Sequence, residues 1–373
     1  MYLESLALEG VRNLQPVQLS FSQELNFLYG ENGSGKSSLL EAIWLLGRGR
    51  SFRTRHLPSI IQHSSSQCTV SGVVVREGRS QTQLGVSREQ GGNFQFRVNR
   101  MPAKSSSELA EKLPLLLINA DSFQLVEGGP GYRRRYLDWL VFHVEHQSRP
   151  VWREFNQVLK QRNSLLRRGK IRSQEITYWD DKFVALSEQV NRFREKLLAS
   201  LFEAIEDALS EMEGVSGLSL DFDCGWDHDR SLSDLLREVF AKEQSRGATL
   251  LGPQRADIRL RLQGRQAREI LSRGQAKILA CAMQSAQIKL FRDKTGHNPV
   301  VLIDDLPAEL DIKHRQNLLN TVLSGGAQLF ATGVEVGDLL GSLPATLKSK
   351  RWAMFHVEHG EIAICEQSSA EKF

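Results

Sequence analysis

Apolar residues along this chain fall into two kinds of pattern. Short unbroken runs, LNFLYG at 25–30 and Val300-Val301-Leu302-Ile303, predict strands covered on both faces. Elsewhere apolar positions recur every three or four residues, the period of a helix with one buried face. KSSLLEAIWLLG (36–47) reads as a helix stopped near Gly47. From Gln275 onward, Leu279, Ala282, Met283, Ala286 and Leu290 predict a helix with one buried stripe, and Ser272 is suited to cap its start. From about Tyr132 to Glu213 the chain is rich in helix formers and sparse in Gly and Pro. There Phe183, Leu186, Val190, Phe193 and Leu197 keep a helical spacing, so helix should pack on helix. Too few heptads fit for a long coiled-coil arm, and a compact helical lobe is expected. WAMFHVEHGEIAI (352–364) predicts a closing hairpin with Gly360 in its turn, followed by a frayed tail.

Composition narrows the class. The 373 residues are 40% hydrophobic and 25% charged, as in an ordinary globular chain. No stretch approaches the ~18 uninterrupted apolar residues of a membrane span. The opening MYLESLALEGVRNL carries Glu4 and Glu9 and lacks a signal-peptide core. Cys68, Cys224, Cys281 and Cys365 are scattered, with no CxxC pair. A cytoplasmic protein without a disulfide framework or zinc site is expected. FHVEH occurs at 142–146 and 355–359, but it is not HExxH and has no acidic or cysteine ligand set beside it. Its histidines are expected in the core or at strand ends.

Net charge is +4 but unevenly spread: Gly131 to Arg172 holds eleven Lys or Arg against three Asp or Glu. Arg133, Arg134 and Arg135, and then Arg167, Arg168, Lys170 and Arg172, are the clusters. Charge alone leaves open a solvated helical surface or contacts to an anionic partner.

The segment after the first apolar run carries specific chemistry. Gly30-Glu31-Asn32-Gly33-Ser34-Gly35-Lys36-Ser37 fits G-x-x-x-x-G-K-[ST] between strand and helix, with Ser38 next in the helix. Glycines let backbone N–H groups converge on phosphates, and the helix start adds its dipole. Lys36 would reach the β- and γ-phosphates of a nucleotide, and the Ser37 hydroxyl would ligand Mg²⁺. Far downstream, Asp304 and Asp305 end the apolar run at 300–303, where open α/β sheets place their ligands. Asp304 is the expected Mg²⁺ partner and Asp305 the group that orients attacking water.

LSRGQ (271–275), at the start of the helix that continues from Gln275, resembles the signature of ATP-binding-cassette ATPases. That resemblance implies an ATP sandwich, in which Ser272, Gly274 and Gln275 of one copy close on ATP held at Lys36 and Ser37 of another. Ala308-Glu309-Leu310-Asp311 would then cross the dimer interface. Thr332 stands in AQLFATG (327–333) where many cassette ATPases carry a histidine, which leaves the γ-phosphate sensor unassigned. Ser37 and Ser272 lie 235 positions apart, about twice the spacing expected of a compact transporter ATPase, so a segment is inserted. A transporter motor remains the alternative; it would show a hydrophobic coupling surface and no DNA dependence.

Further motifs go beyond the superfamily. NADSFQLVEGGPGYRRRYLDWLVFHVE (119–145) closely resembles a signature of the RecF family. LGRGRSFR (46–53), TLLGPQRADI (249–258), LSRGQ with DDLPAELD, the early RNL (12–14) and MFHVEHGEI (354–362) fit it as well. Gln254 replaces the histidine expected in many relatives. The resemblance implies an α/β fold, an ABC-type P-loop ATPase head with an inserted compact helical lobe and no long coiled coil. The expected division is 1–125 (first half of the head), 126–215 (lobe) and 216–373 (second half). It also implies ATP and Mg²⁺ as cofactors, an ATP-dependent homodimer and slow regulatory hydrolysis. DNA at gaps and single-strand/double-strand junctions is the implied ligand. RecR is the implied partner, with RecO and RecA in the same pathway, where RecA loads on strands covered by SSB.

Overall fold

A computed structural model describes residues 1–54, 57–76, 78, 80–168, 173–212, 215–306, 312–344 and 351–367. The chain forms two compact units, Met1–Ser122 with Phe291–Phe373, and Phe123–Leu290. The second begins close to the expected lobe start at 126. It runs past 215, taking in a small sheet and most of the signature helix.

The first unit is built on two six-stranded sheets. One is antiparallel and includes Tyr2–Glu9, Gln67–Val75 and Gln81–Glu89. The other is ordered 361–367, 352–358, 25–29, 329–333, 300–303, 115–118. Its five inner and far strands run parallel, and the last hairpin supplies an antiparallel edge. Leu25–Tyr29 and Val300–Ile303 are strands, the latter buried at every position as its apolar run predicts. Helix Lys36–Arg48 sits in a single core with both sheets, through Leu39, Leu40, Ile43 and Leu46 against Leu3, Leu6, Val70, Leu302 and Phe330. The helix ends at Gly49, in left-handed conformation at φ 62°, rather than at Gly47. Gly47 serves close packing instead: a Cβ there would come within 2.6 Å of Leu115 and 2.9 Å of the Leu113 carbonyl. The closing hairpin, Trp352–Glu358 with Glu361–Gln367, forms as expected, with Gly360 in the turn at φ 86°.

In the second unit, helices Pro130–Val144, Ser148–Arg168 and Ser173–Ser210 pack together with Leu232–Arg246. Phe155, Val158, Phe183, Leu186, Val190, Leu232 and Leu236 form the core. Phe183, Leu186, Val190 and Leu197 are buried as their spacing predicts, whereas Phe193 is only partly so. Beside it the buried residue is Arg194, whose guanidinium forks onto Asp138 at 2.9 and 3.1 Å and reaches the Pro253 carbonyl at 2.9 Å. Arg162, fully buried, binds Asp180 and Glu243 at 2.7 Å and the Thr249 hydroxyl at 2.8 Å. Burial pushes the Asp180 carboxyl above its ordinary range, against the opposing pull of Arg162. Part of the basic charge counted in the sequence therefore belongs inside the lobe. His143 of the first FHVEH is a buried core residue against Trp139 and Phe142. In the second, His356 stacks on Tyr29 from a strand and His359 sits at the hairpin turn.

The helix after LSRGQ, Arg273–Thr295, departs from the expected single stripe. Between Ala276 and Leu290 only Lys277 and Lys289 are not fully buried. Small and polar residues disguise this. Gln287 is buried because it donates to the Tyr136 carbonyl at 2.9 Å, and the Tyr136 hydroxyl donates to the Met283 carbonyl at 2.6 Å.

Candidate functional site

The phosphate loop turns on three glycines in backbone conformations that side chains rarely adopt. Gly30, Gly33 and Gly35 have φ of 145°, 81° and 125°. A Cβ on Gly30 would lie 2.1 Å from the Val357 carbonyl oxygen, and one on Gly35 would lie 2.8 Å from Leu14. Two segments remote in sequence hold the loop in place. The N–H of Gly360 donates to the Ser34 carbonyl at 2.9 Å. Asn13 donates to the carbonyls of Gly33 and Ser34 at 3.3 Å and accepts from the Ser38 hydroxyl at 2.9 Å. The RNL and HVEHGEI motifs are thus the floor of the loop. Glu31 and Asn32 are exposed at its tip.

Lys36 is buried and donates to the Gly30 and Glu31 carbonyls at 2.7 and 2.8 Å. Burial lowers its ammonium below the ordinary lysine range, while the charges of Asp305 and Asp304 oppose that shift. The Ser34 hydroxyl is buried without a hydrogen-bond partner among the described residues. A buried, unsatisfied donor beside a lysine and a glycine cradle fits a phosphate ligand.

The second constellation meets the first. The Ser37 hydroxyl donates to Asp304 Oδ1 at 2.9 Å, and the Thr332 hydroxyl donates to the same oxygen at 2.9 Å. The Asp305 N–H donates to the Thr332 hydroxyl at 2.7 Å. Asp305 takes up φ 59°, an unusual conformation for a side-chain-bearing residue, and stands exposed at the strand end. Parallel pairing of 300–303 with 329–333, and of 329–333 with 25–29, delivers these groups to one end of the sheet. Ser37 and Asp304 present hard oxygens to one point, a donor set suited to Mg²⁺.

A cleft of about 800 Å³ surrounds this network, lined by the loop, Asp304, Asp305 and Thr332. Arg53 also lines it, as do Arg12, His63, Asn119 and Asp121, which were not identified as site residues from the sequence. Arg12 forks onto the fully buried Glu41 with both contacts at 2.8 Å. No spacing rule links 12 to 41; only the helix register that turns Glu41 inward brings them together.

Around LSRGQ, the Ser272 N–H donates to the Gln275 side chain at 3.0 Å and the Gln275 N–H donates to the Ser272 hydroxyl at 3.3 Å. This reciprocal capping box starts the helix as expected. Ser272 and Gly274 are exposed, and a Cβ on Gly274 would meet only the Ser272 hydroxyl, at 4.0 Å. The face is open to a ligand. Ala308 to Asp311 lie outside the described residues.

The basic candidates separate. Arg133 is a structural residue, which corrects the expectation that it contacts a polyanion. It is buried, forks onto Asp257 at 2.7 and 3.0 Å and donates to the Leu125 and Gly128 carbonyls. Arg134 is half-buried on the Ala256 carbonyl at 2.7 Å, and burial lowers its ordinarily very high pKa. Arg135, over the Tyr132 ring, is exposed, as are Arg167 and Arg168. Lys170 and Arg172 lie outside the described residues.

The RecF/RecN/SMC N terminal domain family matches residues 2–339. The DNA replication and repair protein RecF of Pseudomonas paraeruginosa is 44% identical over 97% of this chain and 98% of its own. This chain belongs to the RecF family. The RecF of Stutzerimonas stutzeri is 41% identical with both chains covered in full. Among solved structures, the recombination mediator protein RecF with ATP in the RecFOR pathway superposes with a TM-score of 0.85 at 24% identity, covering 98% of each chain. An Smc head bound to the C-terminal winged-helix domain of ScpA gives 0.61 at 14% identity, covering 100% of this chain and 98% of that one. The fold is that of a RecF-type and SMC-type ATPase head, with no long coiled coil among the described residues. Membership of this family leaves the transporter motor without support, and no helix among the described residues is long and apolar enough to cross a membrane.

Proposed function

We propose that this chain is an ATP-binding DNA replication and repair protein of the RecFOR recombination pathway, working as an ATP-gated clamp at gaps. ATP and Mg²⁺ occupy the cleft at Lys36, Ser37 and Asp304. The exposed Ser272 and Gly274, with the half-buried Gln275, of a second copy complete the site in trans. The resulting dimer holds DNA near single-strand/double-strand junctions. It acts with RecR and RecO in the cytoplasm to let RecA load on strands covered by SSB, and slow hydrolysis, with Asp305 orienting water, releases it. Support comes above all from one observation: the serine of the phosphate loop and the aspartate ending a distant strand share a hydrogen bond in a chain 44% identical to a DNA replication and repair protein. Light scattering with ATP, with ADP and without nucleotide tests the gate. A monomer that becomes a dimer only with ATP fits it, and a mass indifferent to nucleotide contradicts it.

A further inference from the structure

One basic feature lies outside the clusters read from the sequence. Residues 255–273 hold six arginines and no lysine against only Asp257 and Glu269, a surplus equal to the whole chain's net charge of +4. Strand Asp257–Leu262 turns through Gln263 and Gly264, at φ 50° and 78°, so that Arg265 pairs with Leu262 and Gln266 with Arg261. Ile258, Leu260 and Leu262 are buried, which leaves Asp257, Arg259 and Arg261 on the opposite face.

The acids along the strand, Asp257, Asp221 and Asp223, are already engaged, and Glu269 is exposed. Asp257 is held by Arg133, and Arg259 faces Asp221 at 3.7 Å and also pairs with Asp223. Arg261 donates to the Gly264 carbonyl at 3.1 Å. Arg265, Arg268 and Arg273 are exposed and form no ion pair among the described residues. Arg259, Arg261, Gln266 and Arg268 line a cleft of about 440 Å³.

Resting on the DNA-binding reading above, we infer that Arg261, Arg265 and Arg268 form a phosphate track for one strand of the bound nucleic acid. The cations are strung along a hairpin and the segment after it instead of converging on one point, which suits successive phosphates of a polyanion. Arginine's planar fork matches phosphate oxygens better than a lysine does. The rigid two-residue turn fixes where Arg265 stands. Ser272 is four positions on from Arg268, at most roughly 14 Å of extended chain. A strand on the track therefore lies close to the loop that closes on ATP in trans. Coupling between sites is reciprocal, so DNA there tightens ATP-driven dimerisation as ATP tightens DNA binding.

The test compares wild type with Arg265→Gln/Arg268→Gln for binding a gapped duplex with ATP, over a salt range of about 50–200 mM. Each lost phosphate contact removes about 0.9 from the slope of log K against log salt, so the double variant should lose nearly two units. Its ATP binding should equal wild type, which also reports an intact fold. Arg265→Lys/Arg268→Lys should restore most of the slope. If wild type binds and the glutamine variant keeps the same affinity and slope, the track is overturned while the DNA reading stands. Should wild type itself fail to bind gapped duplex, the DNA reading fails. If the double variant loses ATP binding, Arg265→Gln alone carries the test; it should lose about one unit of slope, and an unchanged slope overturns the track.

Discussion

Thr332 joins the two aspartates that end the neighbouring strand: its hydroxyl donates to Asp304 at 2.9 Å and accepts from the Asp305 N–H at 2.7 Å. It is 1% exposed. A residue read from sequence only as a departure from the usual histidine thus holds the turn that sets Asp305 in its left-handed conformation. Thr332→Val keeps the shape but removes the partly buried hydrogen bonds to the Asp305 N–H and the Asp304 carboxylate, at a cost of ~1 kcal/mol. Chemical denaturation should show that loss, and Thr332→Ser should recover most of it.

Lys36→Met removes the cation while keeping a long apolar stem. Loss of a charge-assisted phosphate contact of ~1.5–3 kcal/mol corresponds to about ten- to hundredfold weaker nucleotide binding. Titration with a fluorescent ATP analogue measures it. The variant should also fail to form an ATP-dependent dimer.

Ser272→Arg should separate binding from assembly. Its side chain is exposed in the capping loop. ATP affinity of the monomer should stay within about twofold of wild type, since surface changes seldom exceed ~0.5 kcal/mol. Dimerisation with ATP, followed by light scattering, should be lost.

Two neighbouring arginines should give opposite phenotypes. Arg133→Gln leaves the half-shielded Asp257 unpaired and should cost roughly 3 kcal/mol of stability. Arg135→Gln, on the exposed side of the same helix, should leave stability within ~0.5 kcal/mol. If it contacts DNA, it lowers the salt slope by about one. Denaturation and DNA titration on the same two proteins distinguish the roles.

The parts of the site written as local motifs were legible in the sequence. The phosphate loop, the strand ending in Asp304 and Asp305, and the cap at Ser272 each depend on neighbouring residues, and each forms where its pattern predicts. What the sequence hid depends on pairing across long separations. Gly360 under Ser34, Arg12 on Glu41 and Arg133 on Asp257 have no periodicity to reveal them. The helix after LSRGQ misled in another way: buried Gln284, Ser285 and Gln287 read as a solvent face. Arg162 was counted in the basic run, yet its guanidinium, like that of Arg194, is satisfied inside the lobe.

The most direct measurement is binding to a gapped DNA duplex at fixed moderate salt with ATP, with ADP and without nucleotide, with mass followed by light scattering. The account expects tight binding by a dimer in the ATP state alone. Equal weak binding in all three states, by a species of unchanging mass, would contradict it.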